Sequence, residues 1–202
     1  MAKSLQPESP DTRILEIAAT HIRTFGLKRT TVVAIAEAAG MSHANVYRYF
    51  PSKQALFEAV SEHWLRPVEA LIREIADGPD PAYDKLERVV ATIFSAYRDK
   101  LEGDKNIFLI FAQATERGSA LARRHRNRLQ GEIQRIVEEG IAGGAFPFAE
   151  QRRAVASIFD TLFRFLHPVA VQLDGDVPRA QLKARFERAA AIVLTAMSRT
   201  KI

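Results

Sequence analysis

The chain has 202 residues, is 47% hydrophobic and 26% charged, and carries a net charge of +5, an ordinary globular balance. It has no cysteine, which excludes disulfides and thiolate zinc sites and suits a reducing compartment. The N-terminal MAKSLQPESP lacks the apolar centre of a secretory leader, and the apolar stretch Ala154–Leu173 is interrupted by Asp160, Arg164 and His167, so neither export nor membrane insertion is expected.

Residues 1–8 are polar and expected to be disordered. Ser9 or Asp11 caps a first helix, with Pro10 in its first turn, and Ile14, Ile17, Ala18, His21, Ile22 and Phe25 recur at helical spacing until Gly26 ends it. Thr31 caps a second helix over Val32–Ala39, Gly40 breaks it, and Ser42 caps a third over His43–Phe50. Phe50-Pro51 stops the third helix, because the residue before proline disfavours helical backbone. Ser52 caps a long fourth helix with Leu56, Val60, Trp64, Val68, Leu71 and Ile75 near one face, which Pro67 kinks or splits.

The loop Asp77–Pro81 follows. Helices are then expected over Ala82–Leu101, with Leu86, Val89, Val90, Ile93, Phe94 and Tyr97 inward, over 105–115, and over Ala120–Gly140. After a second loop around Gly143–Pro147, two helices remain, Glu150–Leu173 and Pro178–Arg199. No segment alternates as a strand does, so the expected fold is all-α with about nine helices.

Thr30–Lys53 carries the chemistry. Ile35, Ala36 and Ala39 are small or apolar where the second helix packs, Gly40 supplies a turn residue that accepts positive φ, and Val46 and Phe50 give the third helix its buried side. The other side then displays His43, Ala44, Asn45, Tyr47, Arg48 and Tyr49, with no acid to repel phosphate. In a helix-turn-helix the start of the second helix of the pair meets base edges in the major groove. Asn45 suits adenine, Arg48 guanine or phosphate, and His43 either base or phosphate. Thr31, Ser42, Tyr47, Tyr49 and Lys53 suit the backbone, using hydroxyls, charge and free helix-start amides. Residues 1–53 hold seven Lys or Arg against four acids, a basic module such as phosphate binding requires. The competing account is a purely structural helix pair in which Tyr47 or Tyr49 simply packs.

These residues resemble the signature of the TetR (tetracycline-repressor) family of transcriptional regulators. Phe25-Gly26, Thr30-Thr31, Ile35 to Gly40, Met41-Ser42 and Val46 to Lys53 fall in that family's order and spacing over roughly residues 10–60. The resemblance implies that the positions of Thr31, His43, Asn45, Tyr47, Tyr49 and Lys53 contact DNA. Val33 stands where many members carry a polar or basic residue, which shifts base reading toward the third helix. It also implies a DNA-binding domain over 1–53 and a regulatory domain over 54–202 that dimerises through its last two helices on a palindromic double-stranded operator.

Within the second domain the family layout gathers Trp64, Phe94, Tyr97, Phe108, Phe111, Phe159 and Phe163 around one ligand cavity, with Gln113, Arg164 and His167 as polar candidates. Plain aromatic core is the alternative. The run Arg123–Arg128 is expected to be a solvated helix face, with a second nucleic-acid patch or a gate for an acidic ligand as alternatives. No metal-ligand spacing, phosphate loop or nucleophile elbow occurs, so no enzyme activity, metal or cofactor is expected. The function expected is that of a cytoplasmic repressor released from DNA by a small molecule. Its rivals are a regulator controlled by a protein partner and a helical binding protein or enzyme that merely retains a helix-turn-helix.

Overall fold

The computed structural model describes residues 9–147 and 150–198, and among them it has eleven helices and no strand. The expected disorder of residues 1–8 and the expected last helical residue, Arg199, lie outside the described residues.

Three helices build the N-terminal unit: α1 (Pro10–Arg29), α2 (Val32–Ala38) and α3 (His43–Tyr49). The α1 ladder is interrupted at Gly26, where φ is 75°, and the hydroxyl and amide of buried Thr30 both donate to the Gly26 carbonyl, at 2.9 and 3.2 Å. Ser9 precedes α1 without a side-chain capping bond. Thr31 and Ser42 do cap their helices, accepting from the amides of Ala34 at 3.1 Å and Asn45 at 3.3 Å. Between them Gly40 (φ 68°) donates to Glu37 and Met41 donates to Ala36, both at 3.0 Å. That pair of bonds closes α2 and turns the chain, a left-handed step natural to glycine. Ile14, Ala18 and Ile22 of α1 bury against Val32, Ile35 and Ala36 of α2 and Val46 of α3.

Helix α4 (Lys53–Asp77), capped by Ser52, is one unbroken helix of 25 residues with Pro67 inside it. Of the two outcomes expected at Pro67, a kink or a split, the split does not occur. Proline in a helix interior costs roughly 3 kcal/mol, and burial on both sides of it, at Leu65 and Ile72, offsets that cost. The inward face also differs from expectation: Ile72 is buried and Leu71 is 47% exposed, because the buried series runs Leu65, Ile72, Ile75, Ala76.

The second unit adds α5 (Ala82–Gly103), α6 (Lys105–Glu116), α7 (Ala120–Ala142), α8 (Gln151–Thr161), α9 (Phe163–Leu166), α10 (Pro168–Leu173) and α11 (Arg179–Ser198). The single helix expected over Glu150–Leu173 is therefore three pieces, which accounts for eleven helices instead of nine. Pro168 forces His167 into extended backbone (φ −95°, ψ 121°), and Leu162 (φ −97°, ψ 10°) interrupts the ladder one turn earlier. Buried Arg98 on α5 fastens the following loop, donating to the carbonyls of Asp174 at 3.0 Å and Val177 at 3.4 Å while pairing with Glu102 at 2.7 Å.

The larger core joins α4, α5, α7, α8 and α11, with Phe94 stacked on Phe186 at 4.6 Å. Helix α6 belongs to both cores. Its Ile107 and Ile110 pack with the N-terminal unit, and its Phe108 and Phe111 pack with the C-terminal one. Trp64, the chain's one tryptophan, touches both and meets Tyr97, Phe108 and Phe111 ring to ring.

The α7 terminus meets the chain again at Phe146, whose fully buried ring lies directly over Gly140 where any side chain would overlap it. Gly140→Ala should therefore lower unfolding stability by about 1–3 kcal/mol, the cost of overpacking, despite alanine's higher helix propensity. Chemical denaturation of the two proteins measures it, and an unchanged or higher midpoint would contradict this packing.

Candidate nucleic-acid interface and ligand cleft

The surface of α3 is built by what surrounds it. Val46 is fully buried and fixes the helix by one side, leaving His43, Ala44, Tyr47, Arg48 and Tyr49 exposed and Asn45 half-buried. His43 and Tyr47 meet edge to face at 6.1 Å, and Val33 on α2 is 52% exposed. No carboxylate lies within ion-pair distance of Arg48 among the described residues, so its charge is directed to solvent. Lys53 is held at the start of α4: its Nζ donates to the Leu27 carbonyl at 3.5 Å and lies 5.1 Å from the centre of the Phe57 ring. The hydroxyls of Thr31 and Ser42 accept the cap bonds, which places both at helix starts with free amides around them. All eight proposed contact residues thus lie on α3 or at the starts of α2, α3 and α4.

A second concave site lies between α6, α7, α8 and the α9–α10 break, a cleft of about 950 Å³, within the range of small-molecule sites. Of the ten sequence candidates, Tyr97, Phe111, Phe159, Phe163 and His167 line it. The other five are elsewhere. Phe94 and Phe108 are core, Trp64 joins the two cores, Gln113 is exposed, and Arg164 pairs with Asp174 at 2.8 Å. Phe163 is 53% exposed and stacks on His167, four residues on, at 4.4 Å. Burial and the nearby charge of Arg126 hold His167 below the usual imidazole range.

The floor of the cleft carries a polar chain that sequence reasoning missed. The Tyr97 hydroxyl lies 2.8 Å from His125 Nε2, and His125 Nδ1 lies 2.6 Å from Glu69 Oε1. Arg128 donates to the other Glu69 oxygen at 2.7 Å. Three helices, α4, α5 and α7, are thereby tied at one point. Burial, reinforced by the negative charge of Glu69, pushes the Tyr97 hydroxyl well above its ordinary range, so it stays protonated. Burial alone would raise the Glu69 carboxyl, but hydrogen bonds and charge from His125 and Arg128 bring it below its usual value of 4.5.

The run Arg123–Arg128 is consequently not one solvated face. His125 is buried, Arg124 and Arg128 reach Glu62 and Glu69, and Arg123 and Arg126 line the cleft. A signal was available: His125 sits at helical spacing between buried Leu121 and Leu129. Arg152, Gln130 and Gln134 also line the cleft and carried no such signal. Among the described residues no helix is long and apolar enough to cross a membrane.

Comparison with known proteins follows the two units. Residues 14–60 match the family described as bacterial regulatory proteins, tetR family, and residues 82–193 match the tetracyclin repressor-like C-terminal domain. The HTH-type transcriptional repressor KstR2 of Mycolicibacterium smegmatis is 30% identical over 146 residues, covering 70% of this chain and 69% of that protein. Among solved structures, a protein of unknown function from Rhodococcus sp. RHA1 superposes with a TM-score of 0.72 at 16% identity, covering 98% of this chain and 100% of that one. FadR from Bacillus subtilis, in complex with stearoyl-CoA, superposes with a TM-score of 0.65 at 21% identity over 91% of this chain and 97% of that one. With a matching N-terminal helix-turn-helix region and a matching C-terminal region that alone spans more than half of its length, this chain belongs to the TetR family of bacterial transcriptional regulators.

Proposed function

We propose that the protein is a non-enzymatic, cytoplasmic repressor that binds a palindromic operator as a homodimer and leaves it when a small molecule fills the cleft. The observation that carries this reading is the double membership of α6. Ile107 and Ile110 pack into the core beneath α3, and Phe111 and Thr115, on the same helix of 12 residues, line the cleft. Any ligand that moves α6 therefore acts on the seat of the DNA-reading helix. A second link supports the same reading: α4 gives Leu56, Phe57 and Val60 to the N-terminal core and holds the cleft floor through Glu69. Release follows only if the ligand prefers the arrangement that does not fit the operator. The structural neighbour FadR, solved with stearoyl-CoA, supports a small molecule as effector. A cleft of about 950 Å³ also argues against control by a protein partner alone.

In this reading His43, Asn45 and Arg48 read bases, and Thr31, Ser42, Tyr47, Tyr49 and Lys53 hold phosphates. Exposure of the α3 side chains and the absence of acids there support those roles. The division near residue 53 is a division of labour, since α4, which begins at Lys53, packs into both cores. The outer faces of α8 and α11 serve dimerisation. Ile192 is 68% exposed beside Ala191, a small apolar surface suited to a mate helix. Two-fold symmetry doubles the number of base pairs a short helix can read.

The operator is obtained by selecting duplexes from a random pool with the purified protein. On it, Asn45→Ala should cost about 1–3 kcal/mol, concentrated at particular base positions. Lys53→Ala should weaken all sequences alike and reduce the salt slope by roughly 0.9. Titration of both variants against operator mutants over a salt series decides it, and identical profiles would sink the distinction. Light scattering at micromolar concentration should give a dimer for the wild type, and a monomer would remove the two-fold operator.

Glu69→Gln tests the second link. The Glu69 carboxyl is depressed in the folded state, so its stabilisation is present above the ordinary value of 4.5 and is lost as pH falls through the lower folded value. The variant should be about 1–3 kcal/mol less stable near neutrality and match the wild type in acid. A constant difference across pH would show that the charge of Glu69 is not what ties the cleft floor to α4.

A further inference from the structure

The cleft has a divided lining. Phe111, Leu129 and Phe159 give it an apolar side, while Arg123 and Arg126 from α7 and Arg152 from α8 supply three guanidinium groups. Asp160 is the one carboxylate in that lining among the described residues. Arginine pairing in the rest of the C-terminal unit shows how unusual this is. Residues 61–198 contain sixteen arginines, and ten of them lie within 4.0 Å of a carboxylate. Arg123, Arg126 and Arg152 belong to the six without such a partner among the described residues, and all three face this cleft.

Three unneutralised guanidiniums around one concavity focus positive potential there, and their mutual repulsion is relieved by an anion. A guanidinium also offers the forked donor pair that matches carboxylate and phosphate oxygens. Arg123 donates one N–H to the Gly118 carbonyl, which holds it at the turn between α6 and α7 with its other donors free. His167 lines the same cleft, and its Nδ1 is buried with no hydrogen-bond partner among the described residues.

We infer that the cleft binds an anionic amphiphile, its carboxylate or phosphate headgroup held by Arg123, Arg126 and Arg152 and its alkyl or aryl body lying against Phe111, Leu129 and Phe159. The inference rests on the reading of the cleft as the effector site and adds the chemical class of the effector. Neutral molecules of the same body forfeit the headgroup contacts, and cationic ones are repelled.

Calorimetric titration with four probes that share a twelve-carbon chain tests it: laurate, lauroyl-CoA, dodecanol and dodecyltrimethylammonium, all below their micelle concentrations. At least one anionic probe should bind about tenfold or more tighter than dodecanol, a charge-assisted contact of ordinary strength. Laurate binding assigns the headgroup as carboxylate, and binding by lauroyl-CoA alone assigns it as phosphate. The double variant Arg126→Gln/Arg152→Gln should weaken the anionic probe by about tenfold or more and leave dodecanol within about threefold. The charge-matched control Arg13→Gln/Arg29→Gln, on exposed positions of α1, should bind as the wild type does.

Equal affinity for dodecanol, an unaffected Arg126/Arg152 variant, or binding by no anionic probe would each overturn the inference. Operator release by the same probes separates it from the reading beneath it. Arginine-dependent binding of an anion without release keeps the ligand class and removes the effector role. Release by dodecanol but not by the anions does the reverse.

Discussion

A helix of 12 residues packed on two sides sets the terms for the whole molecule. Along α6 the inward positions interleave: Ile107 and Ile110 go to one core, Phe108 and Phe111 to the other. Both pairs have the helical spacing of three, offset by a single residue, so the two stripes lie side by side on one short cylinder. Neither core can be repacked without turning or sliding the same element. Interiors are close-packed, so such a displacement moves neighbours as well. The ion pair of Arg23 with Asp104 at 2.7 Å, and the Asn106 amide donating to the Arg23 carbonyl at 3.4 Å, add polar ties between α1 and the start of α6. The arrangement explains how a small helix-turn-helix unit is seated on a larger helical body, with α4 and α6 both contributing to the two cores.

How much of this was legible in the sequence depended on the range of the signals. The N-terminal unit is written in local chemistry. Thr31, Ser42 and Ser52 cap, Gly40 turns and Pro51 stops, and each acts within four residues of itself. The long helices were also legible, because buried residues such as Leu86, Val90, Ile93 and Tyr97 repeat at helical spacing on their own. The two prolines inside helical runs were less legible, because a proline's effect depends on what packs around it. Pro67 is a breaker in isolation, yet burial of Leu65 and Ile72 keeps α4 whole. Pro168 does break its helix, although the apolar run around it reads as continuous.

The cleft shows the same limit in its side chains. Aromatic residues mark burial but not which core they join, so Phe94 and Phe108 are packed away while Phe111 and Phe159 face the opening. The arginine cluster on α7 reads as one feature along the chain and becomes three in space. One residue is a buried histidine, two arginines neutralise acids of α4, and two face the cleft. Charge in this protein is thus used in two ways. At Glu69 it is closed into a buried chain with His125 and Arg128; at Arg48 and around the cleft it is left open to whatever arrives.

The lone tryptophan turns the junction into something that can be watched. Trp64 is the chain's one indole, lodged where the two cores meet, with Tyr97, Phe108 and Phe111 around it and the Lys100 ammonium 5.4 Å from its ring. Its Nε1 is buried with no hydrogen-bond partner among the described residues. An indole's emission follows the polarity and charge close around it, so fluorescence excited beyond the absorption of the four tyrosines reports from this one position. The tyrosines of the α3 surface, Tyr47 and Tyr49, are silent under that selective excitation. The molecule carries its own optical gauge of the joint between reading DNA and sensing a ligand, with no label added.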